Sequence, residues 1–134
     1  MGAWGTGVFD NDTACDFAFT VREGRGIDIL IEAIDRVALI GNGYVETRDA
    51  EQCLAAADII ARLRGSPGEQ TAYTAEIDSW IANSKVTISD ELVETAKRSV
   101  ARILVEPSEL LELWGVSRDF DDWKRRVEEV IRRL

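Results

Sequence analysis

A chain of 134 residues with 46% hydrophobic and 31% charged side chains and only two prolines has the length of one ordinary domain and lies outside disordered compositions. It is expected to fold alone and to favour helix. Twenty-five acids against sixteen Lys and Arg give a net charge of −9, which repels phosphate backbones and anionic membranes and argues against nucleic acid or lipid as a ligand. The lack of histidine removes the usual general base near neutral pH, the commonest zinc ligand and every imidazole-dependent triad.

The chain opens MGAWGTGVFDNDTACDF. Gly2, Gly5 and Gly7 let an arm press close to a helix, with Trp4, Val8 and Phe9 as its anchors; Trp4 and Phe9 are expected to be buried. Asn11 or Asp12 can cap a first helix with Ala14, Phe17, Ala18 and Val21 on one face, stopping near Gly24. Ile27, Leu30, Ile31, Ile34, Val37 and Ala38 define a second helix. Ile29, Leu39 and Ile40 broaden its apolar surface, which makes it the candidate central helix. Gly41, Asn42 and Gly43 end it, and Thr47, with Glu51 following, opens a third helix carrying Ala50, Cys53, Leu54, Ala57 and Ala61.

RGSPGE, at 64–69, reads as a turn with Pro67 and Gly68 at the centre of a type II geometry. A fourth helix holds Tyr73, Ile77, Trp80 and Ile81. Ser89 can cap a fifth that runs to about Val105 with Leu92, Val93, Ala96, Val100, Ile103 and Leu104 inward. Pro107 introduces a short helix with Leu110, Leu111, Leu113 and Trp114, and the last helix starts near Asp119 with Phe120, Trp123, Val127, Val130, Ile131 and Leu134 on its seam. A strand fits at Tyr44–Val45 or Lys85–Ile88. Short connections between amphipathic helices favour antiparallel neighbours. The fold class is therefore read as all-α: a single-domain antiparallel bundle of six to seven helices over 11–134, preceded by a glycine-rich arm over 1–10.

The chemistry permitted is narrow. GAWGTG lacks the lysine and hydroxyl of a phosphate loop, and Asp10 and Asp12 follow where a phosphate would sit. Asp10, Asp12 and Asp16 do not have the spacing of a calcium loop, because Ala14 and Cys15 occupy ligand and glycine positions. Asp12 with Asp16, and Asp28 with Glu32 and Asp35 along one face of the second helix, are the candidate metal ligands. The competing readings are a helix cap for the first pair and a solvated face for the second set. Asp121, Asp122, Glu128 and Glu129 each precede an arginine by four residues, so the basic C-terminal segment reads as a self-neutralised face. Cys15 and Cys53 are expected to be reduced thiols packed as small apolar residues. No run of residues reaches a membrane span, and the N-terminus lacks the basic and apolar regions of a signal peptide; a cytoplasmic location is expected.

Trp4, Gly5, Gly7, Phe9, Asn11, Asp12, Ala14 and Asp16 match a motif of the form Met-Gly-x-Trp-Gly, Phe-x-Asn-Asp, then alanine and aspartate. In these residues the chain resembles the bacterial family called domain of unknown function 4259. The match covers about the first seventeen residues, and Phe17 stands where the family often has tryptophan. The resemblance implies a small bacterial protein with no assigned activity, cofactor or catalytic residue. It also makes the myristoylation pattern at Gly2 and Thr6 a chance match, since bacteria are not expected to use it. The family looks like small acidic proteins that accompany toxins as immunity partners.

Residues 1–116 carry twenty acids and ten bases, a net of −10, whereas 117–134 carry five acids and six bases. The expected function is a non-enzymatic interaction module, without cofactor, binding a basic face of another protein, with Tyr44 and Val45 as possible contacts. The alternatives are a metal-dependent enzyme using the carboxylates of the first two helices, and a nucleic-acid mimic.

Overall fold

The computed structural model describes residues 2–24 and 26–134; Met1, the first residue of the arm, lies outside them. Seven helices form among the described residues: α1 (Asp12–Glu23), α2 (Ile27–Ala38), α3 (Thr47–Leu63), α4 (Ala75–Ala82), α5 (Asp90–Ile103), α6 (Glu109–Gly115) and α7 (Phe120–Arg133). Outside the helices, Ala3 bridges Asn11 and Val45 bridges Ser108 as isolated β-pairs. The fold is an all-α bundle. The strand position at 44–45 is reduced to that single bridge, and 85–88 runs as irregular chain.

Local chemistry sets several boundaries. Asn11 is extended and its side chain accepts the Ala14 N–H at 2.8 Å, so Asn11 is the cap and Asp12 the first helical residue. Ser89 accepts from the Leu92 N–H and Ser108 from that of Leu111, opening α5 and α6. Pro107 stands one residue before this second cap. Thr47 is not a cap: Glu46 occupies that position without a side-chain bond. The Thr47 N–H is instead met from another element, by Glu109 Oε1 at 2.8 Å. Helix α4 begins later than the apolar spacing predicts, leaving Tyr73 outside it.

The central helix is α3 rather than α2. Every residue from Cys53 to Arg62 is buried, and α1, α2, α4, α5, α6 and α7 all pack against it. A helix surrounded on all sides needs small side chains where neighbours come closest, and Ala50, Ala55, Ala56, Ala57 and Ala61 supply them. Helix α2 buries one face, Leu30, Ala33, Ile34 and Val37. Its apparent breadth came partly from Leu39, which lies beyond the helix end and is 82% exposed.

The turn at 64–69 also differs from expectation. Positive φ occurs at Gly65, which ends α3, and not at Gly68, so Pro67–Gly68 is not type II. Gly68 instead gives room to the guanidinium of Arg133, which a Cβ there would meet at 2.5 Å and push aside. Trp114 of α6 and Trp123 of α7 stack at 6.0 Å with their planes 9° apart, both buried, and close the other end of the core.

Candidate functional site

The arm is organised by Asp10. Its Oδ2 accepts the Gly7 N–H at 2.9 Å, and its carbonyl accepts the Trp4 N–H at 2.9 Å. A Cβ at Gly5 or Gly7 would come within 2.5 or 2.7 Å of that same carboxylate oxygen, so both glycines are there to admit Asp10. Phe9 is buried as expected, with the Cys15 thiol donating to its carbonyl at 3.3 Å. Trp4 is not buried: it stands 48% exposed and lies against Tyr73, ring centroids 5.1 Å apart at 47°. The bridge at Ala3 explains the reversal. Ala3 packs on the core, and in extended backbone the next side chain points the opposite way. Thr6 donates to Asp122 of α7 and tethers the arm there. That bond, together with one from Arg125, holds the Asp122 carboxyl below its ordinary range.

The five candidate metal ligands divide. Asp12, Asp16 and Glu32 line one open groove of about 330 Å³ between α1, α2 and α3, with Thr13, Thr20, Phe17 and Ile29. Asp35 lines an adjoining recess with Leu39 and Ile40, and Glu32 and Arg36 line both; Asp28 lines neither. Arg36 and Arg48 reach the same groove as Asp12 and Asp16, and Arg36 donates to Gln52 Oε1 at 3.0 Å. Two guanidinia oppose a cation there. Among the described residues no three acidic or cysteine side chains are grouped to hold a metal ion. Melting midpoints measured with and without a chelator should therefore coincide. A clear drop on chelation would restore Asp12, Asp16, Asp28, Glu32 and Asp35 as ligand candidates.

Tyr44 and Val45 have opposite fates. Val45 is fully buried, its N–H donating to the Pro107 carbonyl at 3.2 Å and its own carbonyl accepting from Glu109 at 2.9 Å. It cannot contact a partner. Tyr44 is 45% exposed and donates to Glu112 at 2.7 Å. That hydrogen bond, more than burial, pushes its phenol up to about 12. Any stabilisation from the bond is present below the ordinary tyrosine range and lost as pH rises through about 12. In a spectrophotometric titration, Glu112→Gln should bring Tyr44 back towards about 10. An unmoved titration would show that the bond is not made in solution.

The densest charge cluster went unread in the sequence. Arg62, at the buried end of α3, donates through Nε to Asp58 of its own helix, through Nη1 to Asp78 at 2.7 Å and through Nη2 to the Glu69 carbonyl at 2.7 Å. Arg133 of α7 reaches the other oxygen of Asp58 at 2.9 Å and the Ser66 carbonyl at 3.1 Å, and Arg126 pairs with Glu69. Arg126 and Arg133 thus depart from the self-neutralised reading by pairing with residues outside α7, while Arg125 pairs with Asp122 within it. Burial alone would lower the Arg62 pKa, but Asp58 and Asp78 outweigh it and hold it above its ordinary value. Asp58, Asp78 and Glu69 match Arg62, Arg126 and Arg133 in charge, so the cluster is neutral and its groups face one another. Its geometry clamps α7, α4 and the 64–74 segment onto α3.

Both cysteines are free. Burial, then the fields of Asp12, Asp16 and Asp10, push the Cys15 thiol up, and burial does the same for Cys53. Neither is primed as a nucleophile. Glu51 is buried, and burial raises its carboxyl against a hydrogen bond from Thr13 that lowers it. It is a core acid of α3. No helix among the described residues is long and apolar enough to cross a membrane.

The model of the family described as a domain of unknown function (DUF4259) matches residues 2–126, and the chain belongs to that family. No curated protein and no solved structure matches it.

Proposed function

We propose that this DUF4259 protein is a non-enzymatic bacterial interaction module, acting in the cytoplasm as an immunity or regulatory factor and binding a basic surface of another protein rather than nucleic acid or a membrane. The observation that supports this reading is the state of its aromatic residues. Trp4, Phe19, Tyr44 and Tyr73 stand 45–52% exposed on a chain of net charge −9. Aromatic side chains are the ones that most often anchor protein interfaces, because they bury large area at low entropic cost. The surrounding acid excess selects a basic partner and raises the association rate at low salt. The affinity rests on the rings, since exposed ion pairs contribute at most about 1 kcal/mol each. Free thiols held protonated suit a reducing compartment.

The test is a pull-down from the native cell, treated with nuclease and repeated at low and high salt. A protein with a basic face, captured faster and in larger amount at low salt, is the expected result. Retention of nucleic acid alone, or of a protein held identically at both salts, would end the acidic-surface reading.

A further inference from the structure

We infer that the groove between α1, α2 and α3 binds a small zwitterion, a molecule of amino-acid or dipeptide size whose ammonium is held by Asp12 and Asp16 and whose carboxylate is held by Arg36 and Arg48. The inference stands apart from the reading of the protein as an interaction module and adds a ligand site to it.

The groove exists because α1 and α2 both pack on α3 and touch each other only lightly, so that α3 supplies its floor. Asp12 and Asp16 stand one turn apart on α1, Arg36 on α2, and Arg48 and Gln52 one turn apart on α3. Among the described residues none of these four charged side chains forms an ion pair. Arg36 donates to the neutral Oε1 of Gln52 at 3.0 Å, which orients the guanidinium and leaves its charge uncompensated. Glu32, a fifth charged group in the groove, is already partnered.

Folding does not account for all of these charges. Asp12 opens α1, where a carboxylate is favoured by the helix dipole, but Asp16 lies beyond that first turn. Arg48 is the second residue of α3, the end at which a cation is disfavoured, and it has no acidic partner to offset the cost.

The arrangement selects its ligand by sign and by size. A metal ion or a simple ammonium drawn to Asp12 and Asp16 is opposed by the two guanidinia, and a phosphate drawn to Arg36 and Arg48 is opposed by the two carboxylates. A molecule carrying both charges meets attraction from each set. The volume of about 330 Å³ lies at the small end of ligand sites. Phe17, which is buried, and Ile29 line the same groove and supply an apolar wall for the body of the molecule.

Calorimetric titration of the full chain with two sets of probes tests this: free amino acids, including ω-amino acids of increasing length, and unblocked dipeptides. At least one probe should bind with a dissociation constant of about 1 mM or tighter. The set that binds more tightly identifies the source of the zwitterion. Its N-acetyl and its C-terminal amide derivatives should each bind at least about tenfold more weakly, since each loses one charge-assisted contact. Asp16→Asn and Arg48→Gln, at exposed positions, should weaken binding to a similar extent without lowering the melting midpoint, and Glu91→Gln, exposed on α5, should leave it unchanged. Amide chemical shifts should move in 12–20, 29–36 and 48–52. Absence of binding by every probe overturns the inference. So do blocked derivatives that bind as well as the parent molecule, shifts confined to other segments, or affinity unaltered in Asp16→Asn and Arg48→Gln.

Discussion

Arg62→Ala is expected to cost about 3–5 kcal/mol of folding stability, the range for breaking a buried ion pair by removing one partner. The size follows from what is left behind. Asp58 is 3% exposed and would retain only Arg133, while Asp78 and the Glu69 carbonyl would each lose a donor. Urea unfolding at neutral pH measures the loss directly. Arg62→Lys should recover little, because a single ammonium cannot span acceptors on α3, α4 and the 64–74 segment as the fork does. Replacing Asp58, Arg62 and Arg133 together by apolar residues of similar size should recover only part of that loss, since it removes the buried Asp58 charge but still leaves Asp78 and the Glu69 carbonyl without their donor. A loss below about 1 kcal/mol for Arg62→Ala would show that water reaches the cluster and that it is not the clamp described above.

The residues that were legible in the sequence are those whose determinants are local. Asn11, Ser89 and the buried faces of α1 and α5 follow from side chains within one turn of the backbone they serve. The position of α3 at the centre was not legible, because Asp58 and Arg62 interrupt its apolar pattern and their burial depends on distant chain. Arg133 meets Asp58 across 75 residues and Arg126 meets Glu69 across 57. For these two arginines, acidic neighbours on α7 offered an equally plausible local pairing. The candidate site was half legible for a related reason. In an extended segment adjacent side chains diverge, and nothing in the sequence says which of Tyr44 and Val45, or of Ala3 and Trp4, turns inward. The part Asp10 plays in the arm was not legible, because it lies in the space above Gly5 and Gly7.

Phe9→Ala and Trp4→Ala, two truncations within the same motif, should therefore separate by several kcal/mol. Phe9 is 4% exposed, packs with the core and lies under the Arg62 guanidinium at 5.9 Å from the ring centroid. Removing it leaves a cavity beneath the arm and uncovers the buried ion cluster, at a cost of about 3–5 kcal/mol. Trp4 keeps half its surface in water and touches Tyr73, which is itself exposed. Its truncation removes an aromatic contact of about 0.5–1.5 kcal/mol and little else. Chemical denaturation of both variants against wild type gives the two numbers. Equal losses would mean that Trp4 is a core residue in solution and that the exposed aromatic face does not exist. A large loss for Phe9 with a small one for Trp4 would leave the indole free for a role that folding does not explain.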